Sequence, residues 1–243
     1  TRIVSCRSTA IWTDVAEERV HPNRSGRYLR EMKLPLTLTL AVIPMTAQTP
    51  EQLEAHGAKV TAVDYQGKSA VRVDALADRA NGASFAIVKG IRFHNGVIEV
   101  EVAGKPAATA GAGARGFIGI AFRLKDDRYE YIYLRPTNGR ADDQVRRNHS
   151  TQYGAHPDFD FARLRKESPE KYESYVDLEP GVWARYRIVV DGVKARLFVH
   201  GAQQPCLIVN DLKLGDIEGG VALWVGPGTE GYFANLKITP QLN

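Results

Sequence analysis

Apolar and polar positions alternate in short runs along most of this chain, a pattern typical of β-strands. Polar or glycine-containing turns separate the runs, and Asp191-Gly192 is a strong hairpin signal of this kind. The runs occupy residues 59–65, 68–74, 84–88, 94–104, 117–124, 128–136, 182–192, 193–201, 205–214, 219–226 and 230–239. About eleven short strands at this spacing predict an all-β fold, an antiparallel two-sheet sandwich.

One segment has a helical pattern instead. "DFDFARLRKE", residues 158–167, predicts a short helical insert with Asp158 or Asp160 as its N-cap, ending before Ser168-Pro169. The sequence shows no internal repeat and no linker between these elements. We therefore expect a single sandwich domain over residues 48–243.

The first 47 residues do not share the strand pattern. Residues 1–31 carry six arginines without regular apolar spacing, and we interpret them as an upstream or non-native segment. Residues 32–47 resemble a signal peptide, with a lysine, an apolar run over 34–43 and small residues near Ala47. This apolar run is too short to span a membrane, which takes roughly 20 residues. The alternative is that "LTLTLAVI" forms a buried strand.

Charge is concentrated in the same N-terminal segment. Residues 1–47 contain seven basic and four acidic side chains, whereas residues 48–243 contain 25 and 24. The proposed mature part is therefore nearly neutral and lacks the basic run that nucleic-acid binding needs. Its one cysteine, Cys206, lies in an apolar run and is expected to be a core residue. We expect no cofactor, no nucleic-acid partner, no membrane span and a monomer.

Four segments carry a resemblance to a known family: "FHNGVIEVEV", "GFIGIAFRLKDDRYEYIYLRP", "VWARYRIVVDGVKARLFV" and "GGVALWVGPGTEGYFANLKIT". Over residues 58–239 the chain resembles the concanavalin A-like lectin/glucanase superfamily, in the style of its laminin G-like and 3-keto-disaccharide hydrolase-like bacterial domains. The resemblance implies a jelly roll whose concave face holds sugars. The signal-peptide layout of residues 32–47 predicts that the protein is secreted or periplasmic. The carboxylate triad of laminarinase-type glucanases is missing, and Glu99 and Glu101 are expected to lie on a solvated strand face.

The strand before residue 136 has an informative alternation. Tyr129, Tyr131, Tyr133 and Arg135 share one face, and Ile132 lies on the other. The tyrosines can either stack on sugar rings or fill a core, and the pattern favours neither. On the run 117–124, small residues predict a groove beside the tyrosines, with Arg123 on the same face as Phe117.

The connection "RPTNGRADDQVRRNHSTQYG", residues 135–154, is dense in planar hydrogen-bonding side chains, which suit sugars and uronic acids. We predict that it folds over the sugar-binding face, with Arg135 as its anchor. The candidate catalytic residues are His149, Asp142 and Asp143, the histidine exchanging a proton while an aspartate orients it. The candidate substrate-binding residues are Tyr129, Tyr131, Tyr133, Arg135, Asn138, Arg140, Gln144, Arg146, Arg147, Asn148, Gln152 and Tyr153. The alternative is a solvated loop of mutually paired charges.

The sequence thus predicts a carbohydrate-active protein that binds a glycan or oligosaccharide and could cleave it as a glycoside hydrolase or lyase. A lectin-like binding module and a structural cell-envelope protein are the alternatives. No calcium loop of the Asp-x-Asp-x-Asp-Gly type is present, and the histidines lack zinc-site spacing, so no metal site is predicted.

Overall fold

The structure, a computed structural model, describes residues 49–76 and 84–241. Its strands are β1 Leu53–His56, β2 Ala58–Tyr65, β3 Lys68–Ala75, β4 Ser84–Val88, β5 Gly96–Pro106, β6 Ile118–Lys125, β7 Arg128–Leu134, β8 Thr151–His156, β9 Glu173–Ser174, β10 Ala184–Asp191, β11 Lys194–Val199, β12 Leu207–Val209, β13 Gly220–Val225 and β14 Thr229–Pro240. The helices are α1 Gln144–Asn148 and α2 Phe161–Glu167, with 3-10 turns at Pro50–Gln52 and Pro136–Asn138.

The strands form two antiparallel sheets of seven strands each. Sheet A has the order β1-β4-β13-β6-β7-β8-β9, and sheet B has the order β12-β11-β10-β5-β14-β3-β2. The predicted all-β, two-sheet sandwich with a short helical insert is confirmed.

The core lies between the two sheets, where the apolar positions of the alternating strands face each other. Ile120 on β6 and Ile132 on β7 face Ile98 on β5 and Ile188 on β10, and none of these side chains is exposed. The period of two in each strand thus places one apolar face inside and leaves the other available for a binding surface.

Helix α2 is shorter at its start than the predicted 158–167. Asp160 is the N-cap, and its Oδ1 accepts a hydrogen bond from the backbone nitrogen of Arg163 over 2.8 Å. Leu164 points into the main core, whereas Phe161 is 44% exposed. Asp160 is therefore the correct one of the two predicted capping residues.

Three strands were not predicted, namely β1, β8 and β9. The most important is β8, which begins inside the predicted 135–154 connection and pairs with β7 from Leu134↔Thr151 to Tyr129↔His156. The connection is therefore a compact crossing of 16 residues, 135–150, that contains a 3-10 turn and helix α1.

The proposed upstream segment 1–31 and the signal peptide 32–47 lie outside the described residues, so both stay predictions. Across residues 49–76 and 84–241, no helix combines the length and the apolar character that crossing a bilayer requires. Cys206 packs against the main core, and burial raises the pKa of its thiol to about 11, as expected for a core residue and not for a nucleophile.

Candidate functional site

The outer face of sheet A carries an unbroken cross-strand row that changes from aromatic to polar. Strand pairing aligns seven residues from β1 to β9: His56, Phe85, Trp224, Gly119, Tyr133, Gln152 and Glu173. Because side chains that are directly paired across strands lie side by side, the aromatic residues contact one another and the polar ones gather at the β8–β9 edge.

The tyrosines of β7 lie on this outer face, as the alternation predicts. The rings of Tyr131 and Tyr133 stack with centroids 5.6 Å apart, and the Trp224 ring lies 5.2 Å from the first and 4.9 Å from the second. Trp224 is on β13, two strands away, so these rings meet above the small residues of β6. The predicted groove beside the tyrosines is therefore filled by Trp224.

Exposure divides the tyrosine stripe into supporting and accessible rings. Tyr129 is 2% exposed, Tyr133 is 3% and Trp224 is 7%, which makes them members of a second hydrophobic cluster on the outer face. Tyr131 packs on this cluster and is only half-buried. The two predicted roles of the tyrosines are therefore divided among the rings. Tyr129 and Tyr133 fill a core on the outer face, whereas Tyr131 keeps surface on which a sugar ring could stack.

Gly154 explains why the Tyr131 ring can lie flat toward β8. The two residues are directly paired, and a Cβ at position 154 would lie 2.6 Å from the ring carbon Cζ of Tyr131. Only a residue without a side chain leaves room for the ring in this position.

Arg135 connects the aromatic cluster to the polar edge of the face. Its guanidinium donates hydrogen bonds to the hydroxyl of Tyr133 over 2.9 Å, to Oε1 of Gln152 over 3.0 Å and to Oε1 of Glu173 over 2.8 Å. It also donates to the backbone oxygen of His149 over 3.2 Å. All these partners lie on β7, β8, β9 or the 135–150 connection, so Arg135 holds the connection against the sheet.

Glu173 is the acidic centre of this polar cluster. It accepts hydrogen bonds from Arg135 and Arg165, and its Oε2 lies 3.7 Å from Nε2 of His149. Burial raises the pKa of the Glu173 carboxyl, but the hydrogen bonds from both arginines outweigh burial and hold the pKa below its ordinary value. Glu173 is therefore ionised at neutral pH.

His149 is the titratable group nearest to Glu173. Its pKa is lowered, mainly because burial disfavours the charged ring, although the carboxylate of Glu173 acts in the opposite direction. The ring is therefore neutral at pH 7 and can accept a proton. Arg135 and His149 both reach the carboxylate of Glu173, so the structure brings these two predicted residues together.

The remaining polar residues of the 135–150 connection mostly contact one another. Arg146 donates to Asn138 Oδ1 over 2.9 Å, Gln144 donates to Asn148 Oδ1 over 2.7 Å, and Arg147 donates to the oxygen of Ala141 over 3.0 Å. These bonds fold the connection into a compact unit. That Gln144, Arg146 and Arg147 also bind a ligand stays a prediction.

Arg140 contacts residues outside the 135–150 connection. It forms exposed ion pairs with Asp177 and Glu179. No described contact links it to Arg135, His149 or Glu173, so the structure does not place it in the cluster.

The two aspartates predicted to assist His149 have other positions. Asp143 is the N-cap of α1, where its Oδ1 accepts a hydrogen bond from the nitrogen of Arg146 over 2.7 Å, and Asp142 is exposed. No contact among the described residues joins either carboxylate to His149. The carboxylate beside the histidine is that of Glu173, because the β8–β9 pairing brings it there.

Two other predicted positions are wrong. Tyr153 lies on the inner face of β8, fully buried, and its hydroxyl contacts Glu130 in the core, so it cannot reach a ligand on the outer face. Arg123 leaves the Phe117 face because its φ of 56° interrupts the β6–β7 register. Its buried guanidinium instead bonds the backbone oxygens of His94, Gly192 and Gly215.

Glu99 and Glu101 lie on sheet B, away from the tyrosines. Glu99 pairs with Lys237, and Glu101 pairs with Lys68 on the outer face of that sheet. The expectation of a solvated strand face therefore holds for both.

Three residues of the site were missed from the sequence: Glu173, Arg165 and Trp224. Each joins the site through long-range strand pairing or, for Arg165, through the packing of α2 beside β8. No local signal in "EKYESY" or "GGVALWVG" indicates these long-range contacts. Trp224 could have been suggested by its place among the outward-facing positions of its strand.

A separate cavity of about 760 Å³ opens at the β6–β7 hairpin. Its charged groups come from Arg92, Lys125, Asp126, Arg128 and Glu218. Leu124 lines this cavity and also packs against the outer-face aromatic cluster. Because the hairpin precedes β7 and Arg135 follows it, the cavity and Arg135 lie at opposite ends of that strand. Within the part of the chain that the structure describes, no group of three or more His, Cys, Asp or Glu residues could hold a metal ion.

No protein-family model and no curated protein matches this sequence. Among solved structures, the chain is similar to a putative glycosyl hydrolase from Parabacteroides distasonis, with 10% identity, a TM-score of 0.50, and coverage of 81% of this chain and 100% of that one. It is also similar to the carbohydrate-binding module CBM66 from Bacillus subtilis, with 12% identity, a TM-score of 0.49, and coverage of 75% and 95%. At 10% identity, the similarity to the putative glycosyl hydrolase concerns the fold alone.

Proposed function

We propose that the protein binds a carbohydrate on the outer face of sheet A, where the half-buried ring of Tyr131 adjoins the polar cluster of Arg135, His149, Arg165 and Glu173. The observation that carries this proposal is the accessible ring of Tyr131, which stacks on Tyr133, whose hydroxyl in turn bonds Arg135 over 2.9 Å. An accessible ring surface and planar hydrogen-bonding groups are thus joined on one face.

This combination fits the chemistry of a sugar ring. One face of a pyranose is apolar and packs on an aromatic ring, while its hydroxyls require hydrogen-bonding partners in fixed positions. Phe161, which is 44% exposed beside the guanidinium of Arg135, offers a second ring at the same end of the face. The buried bonds of Arg135 hold the polar groups in place before a ligand arrives, which lowers the entropy lost on binding.

The fold supports the same class of ligand. A putative glycosyl hydrolase has this two-sheet arrangement. Because one fold serves many functions, the fold adds weight to the proposal and the surface at Tyr131 carries it.

The test is binding of purified protein to a broad oligosaccharide panel, followed by calorimetry with the best ligand. Tyr131→Ala should weaken binding at least tenfold, because it removes the accessible stacking ring. The matched control is Phe198→Ala, since Phe198 is a half-buried outer-face ring on sheet B. If both variants bind the ligand as tightly as the wild type does, Tyr131 is not part of the binding site. If the protein binds no saccharide of the panel, the proposed carbohydrate binding is wrong.

Cleavage of the bound glycan is the second candidate function, and one observation favours it. His149, whose pKa is lowered, adjoins the ionised carboxylate of Glu173, so a proton acceptor and an orienting anion lie together. In this proposal Glu173 takes the orienting role first given to Asp142 or Asp143. Product release that His149→Ala abolishes while binding persists would support an enzyme, and binding without any product would support a lectin-like module.

We also propose that the protein is exported and acts as a secreted or periplasmic protein. The basis is the signal-peptide layout of residues 32–47, which predicts a mature N-terminus near Gln48. Mass spectrometry of the protein recovered from outside the cytoplasm tests this, and an intact Thr1 in that fraction would contradict it.

A further inference from the structure

The arginines around the end of β7 outnumber their acidic partners. Arg115, Arg135, Arg146 and Arg165 converge there. Within residues 49–76 and 84–241, Glu173 is the one carboxylate that contacts any of their guanidinium groups. We infer that the saccharide bound at this site is anionic, carrying a carboxylate or a sulfate group. This inference rests on the proposed carbohydrate-binding function and narrows its ligand.

Thr137 links two of these arginines. Its backbone nitrogen donates to the oxygen of Arg115 over 3.2 Å, and Nη2 of Arg146 donates to its carbonyl oxygen over 3.2 Å and to its hydroxyl over 3.1 Å. Arg115 lies two residues before Phe117, whose ring contacts the Tyr133 ring edge-on with centroids 6.0 Å apart. The two arginines therefore flank the start of the 135–150 connection at the aromatic face.

Asn138 links the same pair to the polar cluster. Its Oδ1 accepts a bond from Nε of Arg146 over 2.9 Å, and its Nδ2 donates to the oxygen of His149 over 2.9 Å. Arg135 donates to that same oxygen over 3.2 Å. A continuous set of hydrogen bonds thus runs from Arg146 to Arg135.

Neutral oxygens are the partners that the structure gives the outer two guanidinium groups. Arg115 bonds the backbone oxygens of Ala112 and Ala114, and Arg146 bonds Thr137 and Asn138. Arg140, by contrast, has two carboxylate partners although it lies on the same connection. Carboxylates are thus available near the connection, but within the part of the chain that the structure describes none contacts the guanidinium group of Arg115 or Arg146.

The electrostatics point the same way. The pKa of Arg115 is lowered, first by burial and then by the positive charges of Arg146 and Arg135. An anionic group placed among these side chains would accept charge-assisted, bidentate hydrogen bonds and relieve the repulsion between them. Tyr131 and Phe161 provide ring surface beside the arginines, which is why we assign the anion to a saccharide.

The test compares acidic oligosaccharides with neutral counterparts of the same linkage: oligogalacturonate, oligoglucuronate and sulfated oligogalactan, and their carboxyl-reduced or desulfated forms. Calorimetry on the full chain should show at least tenfold tighter binding of one acidic form, with the preference falling as salt increases. Arg115→Gln and Arg146→Gln should each lower the acidic affinity roughly tenfold and lower the neutral affinity by a smaller factor. Arg115→Lys and Arg146→Lys, which keep the charge, should lose less.

The control is Arg187→Gln, because Arg187 lies on the outer face of sheet B, stacked on Phe198 at 3.9 Å. Neutral saccharides that bind as tightly as acidic ones would overturn this inference and leave the proposed function standing. Acidic binding that depends on Arg187 and not on Arg115 or Arg146 would also overturn it. Failure of every saccharide to bind would overturn the proposed function itself.

Discussion

The guanidinium of Arg135 and the carboxylate of Glu173 form a buried ion pair, with Nη1 and Oε1 2.8 Å apart across 38 positions of sequence. Arg135 is 5% exposed and Glu173 is 7% exposed. Glu173 binds Arg165 as well, so one carboxylate joins the end of β7, the short edge strand β9 and helix α2. Through this pair, the polar edge of the candidate site becomes part of the fold itself.

Glu173→Gln should therefore destabilise the protein. Removing one partner of a buried ion pair leaves the other charge without compensation, which typically costs about 3 kcal/mol or more. Urea denaturation at pH 7 measures the loss. Glu167→Gln is the control, because its exposed pair with Arg163 contributes at most about 1 kcal/mol. Equal stability of the two variants would contradict the structural role of Glu173.

His149 should report the charge of Glu173 through its own titration. NMR titration of the wild-type ring should give a pKa below the ordinary 6.5, because burial disfavours the imidazolium. In Glu173→Gln the pKa should fall further, since the negative charge that favours the protonated ring is gone. A rise in the pKa of His149 in this variant would show that the carboxylate does not act on the ring.

Gly154→Ala should displace the Tyr131 ring. The added Cβ would lie 2.6 Å from that ring, so the ring must turn out of its position on the aromatic cluster. We expect a loss of about 1–3 kcal/mol in stability, typical of overpacking, and weaker carbohydrate binding. Gly111→Ala is the matched control, because nothing lies within 4 Å of its added Cβ. If Gly154→Ala binds the carbohydrate as tightly as the wild type does, ligand binding does not depend on the position of the Tyr131 ring.

The tyrosine face could be predicted from sequence because it depends only on the period of two within one strand. The same rule fails at Arg123, where a φ of 56° shifts the register and turns the side chain to the end of the sandwich. Strand β8 was missed because "TQYGAH" has few branched apolar residues. It is a strand because β7 supplies its hydrogen-bonding partners.

The acidic centre of the site could not be predicted, because its place depends on pairing between distant segments. Glu173 enters through the register Gln152↔Glu173, and a glutamate in a polar segment carries no sign of that partner. Asp142 and Asp143 are near His149 in sequence, and proximity in sequence made them the expected partners. Asp143 instead caps α1, a use that a short aspartate at a helix start commonly has.

Glu130 is a carboxyl group enclosed in the core, with no exposed surface. Its Oε2 lies 2.5 Å from the hydroxyl of Tyr153, and its Oε1 accepts a hydrogen bond from the nitrogen of Leu214 over 2.8 Å. Burial raises its pKa to about 7, although Tyr153, Leu214, Arg123 and Lys213 all favour the ionised form. The group therefore titrates in the neutral range only while the protein is folded.

Glu130 should make the wild-type protein less stable as the pH rises from 4.5 to about 7. In this range the folded protein keeps the proton on Glu130, whereas the unfolded chain, with an ordinary pKa of 4.5, releases it. The unfolded state thus binds fewer protons, and the free energy of unfolding falls by about 3 kcal/mol in total from this group. Groups with a lowered pKa, such as Glu173 and His149, contribute a dependence of the opposite sign.

Glu130→Gln isolates this contribution, because the amide stays neutral at every pH while the other titratable groups are common to both proteins and largely cancel. Urea denaturation at pH 4.5, 6 and 8 gives the free energy of unfolding of wild type and variant. The wild-type value minus the variant value should fall by about 3 kcal/mol between the first pH and the last. For Gln203→Ala, a change at an exposed residue that does not titrate, the same difference should stay constant. A constant difference for Glu130→Gln would mean that Glu130 is ionised in the folded protein across this range, with Tyr153 and Leu214 stabilising its charge fully.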